Sequence, residues 1–310
     1  MKNVPVPAFT AKTTSDVDAV ESAAVKEAQK PALTPAMFKS NVKPTWCPGC
    51  GDFGVLNAVY NSMKEEGVLP ENIVCVSGIG CSSRIPFFIS TYGVHSAHGR
   101  TLPVALGIHL ANPELKVLVF SGDGDTFAIG GGHFIHACRR NLDVTHVVMD
   151  NEIYGLTKGQ TSPTSMFDFV TKSTPFGNID HPINPIALAL VGGATFVARA
   201  FSGDPKQMAK IILDGINHKG YSLIDVYSPC PTFNKVDTFD YFREHVHQLP
   251  ESRNLASLNE AMQYALDPKM YLGVYYKKEM DSFEDQVEKH KKGTPEDTRK
   301  VIENLMMKLS

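Results

Sequence analysis

The chain has 310 residues, 43% hydrophobic and 20% charged, the balance of a soluble globular protein and enough length for one large domain with appendages. A formal charge of −3 excludes a dense basic face for nucleic acid, and no apolar run approaches the roughly 20 residues of a membrane helix. Lys2 has no apolar stretch behind it, so the start does not read as a secretory signal; six cysteines make no disulfide framework at this size, and in the reducing cytoplasm expected for the chain they read as free thiols or metal ligands.

Residues 1–40 are rich in Ala, Lys, Pro, Thr and Ser with little periodicity, and read as a flexible extension. An ordered domain is expected over 41–235. Gly51 to Glu66 has helical spacing (Phe53, Val55, Leu56, Val59, Met63), and 73–77 is a strand. Thr101 to Asn112 reads as helix, stopped by Pro113. Two apolar runs, 116–120 and 145–149, read as buried parallel strands, with Phe127 to Arg140 as the helix crossing between them. Pro185 to Leu190 is helical, Ala194 to Phe201 a strand, and Pro205 to His218 an amphipathic helix with Met208, Ile211, Ile212 and Ile216 on one stripe. Tyr221 to Val226 is the last strand. Alternation of strand and helix predicts an α/β fold: a mostly parallel sheet with helices on both faces. Residues 236–310 turn polar and charged, and read as a mostly helical partner-docking extension with helices over 280–291 and 295–308.

The two central strands end in Gly122-Asp123-Gly124-Asp125 and Asp150-Asn151-Glu152-Ile153. Ligands of open α/β sheets bind at such carboxyl ends, and carboxylate, amide and carbonyl oxygens suit a hard cation such as Mg2+. The spacing resembles the thiamine-diphosphate fingerprint, a Gly-Asp-Gly closed by an Asn pair, with Asp150 in place of the first Asn. That resemblance implies that Asp123, the Asn151 side chain and the Ile153 carbonyl hold Mg2+ on the diphosphate.

Cys47 and Cys50 form a CxxC in Trp46-Cys-Pro-Gly-Cys-Gly51. Cys81 follows the strand at 73–77, and Cys230 sits between two prolines after the last strand. Four thiolates meet the needs of a [4Fe–4S] cubane and equally of a structural zinc site. Zinc sites usually pair two short CxxC knuckles, whereas here the last two cysteines stand singly. Cys75, within a strand, and Cys138, within the crossover helix, read as core thiols.

Both constellations occur together in one family. From about Lys43 to Asn234 the chain resembles the beta subunit of 2-oxoacid:ferredoxin oxidoreductases, through Trp46–Gly51, Gly78-Ile-Gly-Cys81, His98-Gly-Arg100, Gly122–Gly124, Asp150-Asn151 and Thr157-Lys-Gly-Gln160. By that likeness Cys47, Cys50, Cys81 and Cys230 bind one [4Fe–4S] cluster. Gly80, Cys81, Ser82, His98, Gly122, Asp123, Gly124, Asp125, Asn151, Ile153, Gly155, Leu156 and Thr157 surround thiamine diphosphate. The implied reaction is oxidative decarboxylation of a 2-oxoacid with coenzyme A, reversible, through a radical intermediate, with electrons passing to ferredoxin. Arg84 stands where the family has a basic residue facing the substrate carboxyl group; His98 suits a diphosphate oxygen or substrate carboxylate. Lys158, with Leu156 before it, looks like the forms that accept longer 2-oxoacids, 2-oxoglutarate above all, with pyruvate and branched-chain 2-oxoacids as rivals. No glutamate occupies a defensible position for activating the aminopyrimidine, so the resemblance implies an alpha subunit that supplies it, in an (alpha–beta)2 assembly. A non-redox thiamine decarboxylase or carboligase with structural zinc is the alternative outside the family.

Overall fold

The computed structural model describes residues 33–291 together with Met306 and Met307. The extension expected over 1–40 therefore lies outside the described residues up to residue 32. Beyond it a short turn, Pro35–Phe38, buries Phe38 completely in the core, so the ordered domain starts before residue 41. The helix expected over 295–308 also falls outside, except for Met306 and Met307, which are helical.

Helix α1 (Asp52–Glu66) precedes β1 (Ile73–Ser77), α2 (Ile85–Phe88), β2 (Tyr92–His95), α3 (Thr101–Ala111) and β3 (Lys116–Gly122). A π-helical turn, Gly124–Ile129, leads into α4 (Gly131–Arg140) and then β4 (Thr145–Asp150). A small hairpin, β5 (Ile153–Tyr154) and β6 (Gln160–Thr161), precedes α5 (Pro185–Gly192), β7 (Phe196–Phe201), α6 (Pro205–Ile216) and β8 (Ser222–Tyr227). The described chain closes with α7 (Phe239–His245), β9 (Val246–Gln248), α8 (Leu258–Leu266), β10 (Met270–Lys277) and α9 (Phe283–Lys291).

Eight strands form one sheet in the order β2-β1-β3-β4-β8-β7-β10-β9. Its core strands are parallel, and β10 runs antiparallel to β7. Strands β1, β4, β7 and β8 are buried at every position, which is why they read as continuous apolar runs rather than alternating ones. The two sheet faces nevertheless divide by parity. Cys75, Leu118, Phe120, Val147 and Met149 pack under α1 and α6; Val74, Val76, Val117, Val119 and Val148 pack under α3, α4, α5 and α8. The α6 stripe (Met208, Ile211, Ile212, Ile216) is buried as its spacing predicts, and so are the core thiols Cys75 and Cys138. Asp204 starts α6 by accepting from the Gln207 N–H (3.1 Å), with Pro205 in the first turn.

The expected division at residue 235 is not a division of the fold. Strands β9 and β10 extend the same sheet, and Leu272 and Tyr275 join the buried set. The segment Met-Tyr-Leu-Gly-Val-Tyr-Tyr is aromatic and β-prone; the charged surroundings mask it in the sequence, and pairing with the distant β7 decides it.

Nothing in the sequence pattern signals that the opposite charges on two buried strands face each other. Arg199 on β7 and Asp225 on β8 are register partners, and Arg199 Nε donates to Asp225 Oδ2 at 2.8 Å with the guanidinium over the Tyr227 ring. Removing one partner strands the other in the core. Arg199→Leu is expected to lower unfolding stability by about 3–5 kcal/mol, and Arg199→Leu with Asp225→Leu to recover most of that; denaturant midpoints of the two variants check it.

Candidate active site

The register sets the carboxyl ends of four strands side by side: Ser77 opposite Phe120, Gly122 opposite Met149, and Asp150 opposite Tyr227. The chain runs outward from β1 to β2 and returns to β3 on the other side of β1, so the topological switch point lies between β1 and β3. A cavity of about 230 Å³ opens there. Its wall contains Gly80, Cys81 and Ser82 after β1, His98, Gly122 to Asp125 after β3, and Asn151, Ile153, Gly155, Leu156 and Thr157 after β4. Every residue expected around the cofactor thus lines one cavity. Ile79 and Tyr154 also line it and were not expected. Tyr154 fits because Gly124 leaves room: a Cβ on Gly124 would fall 2.1 Å from the Tyr154 ring.

Asp125 does not offer its carboxylate to the cavity's contents. Oδ1 accepts from the N–H groups of Ile79 (3.0 Å) and Gly99 (2.7 Å) and from His98 Nδ1 (2.7 Å), while Oδ2 accepts from Thr101 Oγ1 (3.0 Å). One side chain so fixes three loops. With Nδ1 committed to Asp125, Nε2 is the His98 nitrogen left for a ligand.

Asp123 and Asp150 are differently placed. Both accept from the single Thr164 hydroxyl, each at 2.8 Å, and one proton cannot serve two carboxylates at once. Burial pushes Asp123 up to about 6 and Asp150 well above the carboxylate range. The corner is short of positive charge, and a divalent cation would supply it. Asn151 Oδ1 accepts from the Ile153 N–H (3.1 Å), an Asx turn that holds both residues at the cavity.

The cysteine corner adjoins the cavity. The Gly51 N–H donates to the Pro229 carbonyl (3.0 Å), joining the CxxC loop to the Cys230 loop, and Trp46 Nε1 donates to the Cys81 carbonyl (2.7 Å). Burial raises Cys50 above the thiol range and Cys81 to about 11, and the neighbouring cysteines add to both. Mutually repelling, desolvated thiols ionise together only around a positive core. Among the described residues no three His, Cys, Asp or Glu side chains close into a cage for a single ion. Corner and cavity meet at Cys81 and Gly155, which line the cavity together: a Cβ on Gly155 would lie 3.5 Å from Cys230 Sγ and 3.8 Å from Cys81 Sγ.

Two expected residues stand outside the cavity wall. Arg84 Nη1 donates to Thr45 Oγ1 (2.6 Å). Lys158 is exposed in a left-handed conformation (φ 76°), one residue past Thr157. No glutamate lines the cavity. A larger cavity of about 500 Å³ lies beyond Thr164, with Asp150, Glu152, Asp237, Arg199 and Lys269 in its wall; that wall has no glycine to let a diphosphate approach the backbone.

Residues 78–226 match the C-terminal TPP binding domain of thiamine pyrophosphate enzymes, and residues 230–292 match the C-terminal family of the pyruvate ferredoxin oxidoreductase beta subunit. The chain is 46% identical over 256 residues to the 2-oxoacid:ferredoxin oxidoreductase subunit beta of Saccharolobus solfataricus, covering 78% of this chain and 84% of that one. It belongs to the 2-oxoacid:ferredoxin oxidoreductase beta subunits. The 2-oxoglutarate oxidoreductase subunit KorB of Mycobacterium tuberculosis is 50% identical over 207 residues, 67% of this chain and 55% of that protein. The fold matches a solved 2-oxoglutarate:ferredoxin oxidoreductase from Magnetococcus marinus, with 2-oxoglutarate, coenzyme A and succinyl-CoA bound, at a TM-score of 0.87 and 42% identity, over 91% of this chain and 98% of that one. The glycine-lined cavity of this beta subunit is thus part of a thiamine-diphosphate binding domain.

Because the Asp125 carboxylate is taken up in holding the cavity loops, Asp125→Ala is expected to weaken thiamine diphosphate binding at least about tenfold (~1.4 kcal/mol). Calorimetric titration of the assembled enzyme measures it; unchanged affinity would show that the loops hold without it.

Proposed function

We propose that this chain carries the chemistry of a 2-oxoglutarate:ferredoxin oxidoreductase, converting 2-oxoglutarate and coenzyme A reversibly into succinyl-CoA and carbon dioxide and passing electrons through one [4Fe–4S] cluster to ferredoxin. The observation that carries the reading is the shared wall: Cys81 and Gly155 both line the cofactor cavity, and a side chain on Gly155 would meet the sulfurs of Cys81 and Cys230. When bound, thiamine diphosphate supplies a carbanion that adds to the 2-oxo carbon and accepts the electron pair released with carbon dioxide.

The chain's own residues do the rest. Asp123, the Asn151 side chain and the Ile153 carbonyl would hold Mg2+ on the diphosphate, and the proton-poor Asp123–Thr164–Asp150 corner supports a cation there. Gly122 and Gly124 let phosphate oxygens approach the backbone. His98, oriented by Asp125, presents Nε2 to a phosphate oxygen or carboxylate. Cys47, Cys50, Cys81 and Cys230 would hold the cluster, and the last two standing singly rather than as a second CxxC knuckle favours a cubane over zinc. Arg84 and Lys158 would take the two substrate carboxylates from positions flanking the cavity, with Leu156 shaping the space between. A cavity of about 230 Å³ is below the usual range of ligand pockets, as expected of a site closed by a second protein. That protein is the alpha subunit, which brings the glutamate the cavity lacks, in an (alpha–beta)2 assembly. The reduced thiols suit a reducing cytoplasm. The relative and the solved structure named for 2-oxoglutarate support the substrate.

Two measurements test this. Anaerobically purified enzyme with its alpha subunit is expected to hold iron and sulfide in equal amounts, about four of each per beta chain, with a broad visible band that 2-oxoglutarate plus coenzyme A bleaches. One zinc and no iron would leave a non-redox thiamine enzyme as the reading. Lys158→Ala is expected to lower kcat/KM for 2-oxoglutarate roughly 10- to 150-fold, the worth of one charged hydrogen bond at about 1.5–3 kcal/mol, with little change for pyruvate. Equal losses on both substrates would remove the substrate assignment.

A further inference from the structure

Three hydroxyls and an imidazole form an unbroken row beneath the Gly122–Asp125 turn. Tyr221 Oη lies 2.7 Å from His146 Nδ1, His146 Nε2 lies 2.6 Å from Ser121 Oγ, and Ser121 Oγ lies 2.6 Å from Thr126 Oγ1. All four residues are buried. The row runs from Tyr221, just before β8, across β4 and β3 to the π-helical turn that contains Asp125. Its surroundings are apolar: the Phe134 ring flanks His146, and Val119, Val144 and Val148 belong to the same core layer. An aliphatic side chain would fill such a site with no polar group to satisfy. Burial pushes the His146 imidazole down to about 3, so the ring is neutral and carries one N–H. The Tyr221 hydroxyl decides which nitrogen has it. Among the described residues His146 Nδ1 is the one hydrogen-bond partner of that hydroxyl, and unless it donates there its proton is left unpaired in the core. Nδ1 therefore accepts, Nε2–H donates to Ser121, and Ser121 donates to Thr126.

We propose that His146 is a positioning residue for thiamine diphosphate: through Ser121 and Thr126 it holds the π-helical turn in the form that aims Asp123, Gly124 and Asp125 at the cofactor cavity. A π turn closes its hydrogen bonds over one more residue than an α-helix and is rare and short, so neighbouring groups must hold it. Above the turn, Asp125 is tied to the cavity loops by its four donors. Thr126, the next residue, is tied to the sheet from below. The two attachments meet around one small space of about 10 Å³, walled by His146, Ser121, Thr126, Asp125, Gly99 and Thr101. Ser121 stands on β3 two residues before Asp123, and β3 is paired with β4, the strand of His146. The sheet itself is thus the reference for the turn, and a buried polar row with every member bonded is rigid. Held from above alone, the turn would be free to relax into regular helix and carry the Asp125 carboxylate away from the Ile79 and Gly99 N–H groups.

This inference rests on the thiamine diphosphate reading of the cavity, and the experiment separates the two failures. Thiamine diphosphate with Mg2+ is titrated calorimetrically into the enzyme assembled with its alpha subunit. A wild-type enzyme that binds none would end the cofactor reading itself. With wild-type binding established, His146→Leu is expected to weaken affinity about tenfold or more, the scale of coupling within one hydrogen-bond network. His146→Gln, whose side-chain N–H stands in for Nε2–H, is expected to stay within about threefold of wild type. On top of Asp125→Ala, His146→Leu is expected to weaken affinity by less than about threefold more, because both act on one turn. A purely structural histidine would lower the melting temperature and leave the affinity in place, and that result would overturn the proposal. Equal weakening by leucine and glutamine, or an effect that multiplies in full on Asp125→Ala, would overturn it as well. Should His146→Leu fail to fold, Thr126→Val decides, since it keeps the shape of the side chain and removes only the hydroxyl at the end of the row. Weakened affinity would support the proposal, and unchanged affinity would overturn it.

Discussion

The active site hangs on one carboxylate. Asp125, at the start of the crossover after β3, gathers four donors from two stretches of chain remote from it in sequence: the turn after β1 and the His98–Thr101 segment. Gly78 is part of the same arrangement, because a Cβ there would lie 1.9 Å from Asp125 Oδ2. The loops of an open sheet edge are otherwise independent and mobile. Linked through one buried carboxyl group with four donors, they form a single cradle for the ligand. The π-helical turn at Gly124–Ile129 places Asp125 under those loops, where a regular helix from residue 127 would not have begun in time.

Much of this could be read from the sequence, because the signals were local. The central strands are unbroken apolar runs, the α6 stripe has clear helical spacing, and the strand ends carry Gly-Asp-Gly and Asp-Asn at the positions where a parallel sheet places ligands. The residues that escaped are those whose meaning depends on a distant partner. Tyr154 is an ordinary tyrosine until Gly124 leaves space beneath it. Arg199 and Asp225 look like misfits in buried strands until the register pairs them. β10 sits in a polar stretch and becomes a strand by lying antiparallel to β7. Asp125 itself looks like a second cofactor carboxylate by its place in the motif, and only its four donors show that it serves the protein instead.

The sheet also explains why one chain holds both constellations. Cys81 and Cys230 leave β1 and β8 at the same edge as Gly122 and Asn151, so the cofactor and the thiols are neighbours by topology. The CxxC loop is then brought to that edge by the α1 start and the bond from Gly51 to Pro229. The fold subdivides labour by face: helices on both sides make a rigid slab, and the strand ends hold the chemistry.

Cys81 is itself part of the cavity wall, and Gly155 beside it leaves no side chain between the cavity and Cys230. In the proposed arrangement a cluster held by Cys81 and Cys230 would adjoin the cofactor directly, so no swinging domain or hinge would be needed between them. Of the four cysteines Cys47 is the most exposed, so in that arrangement electrons would leave, and molecular oxygen would enter, on the side of the CxxC loop. Whatever protein docks there to collect electrons would, while it stays, also shield such a cluster from air.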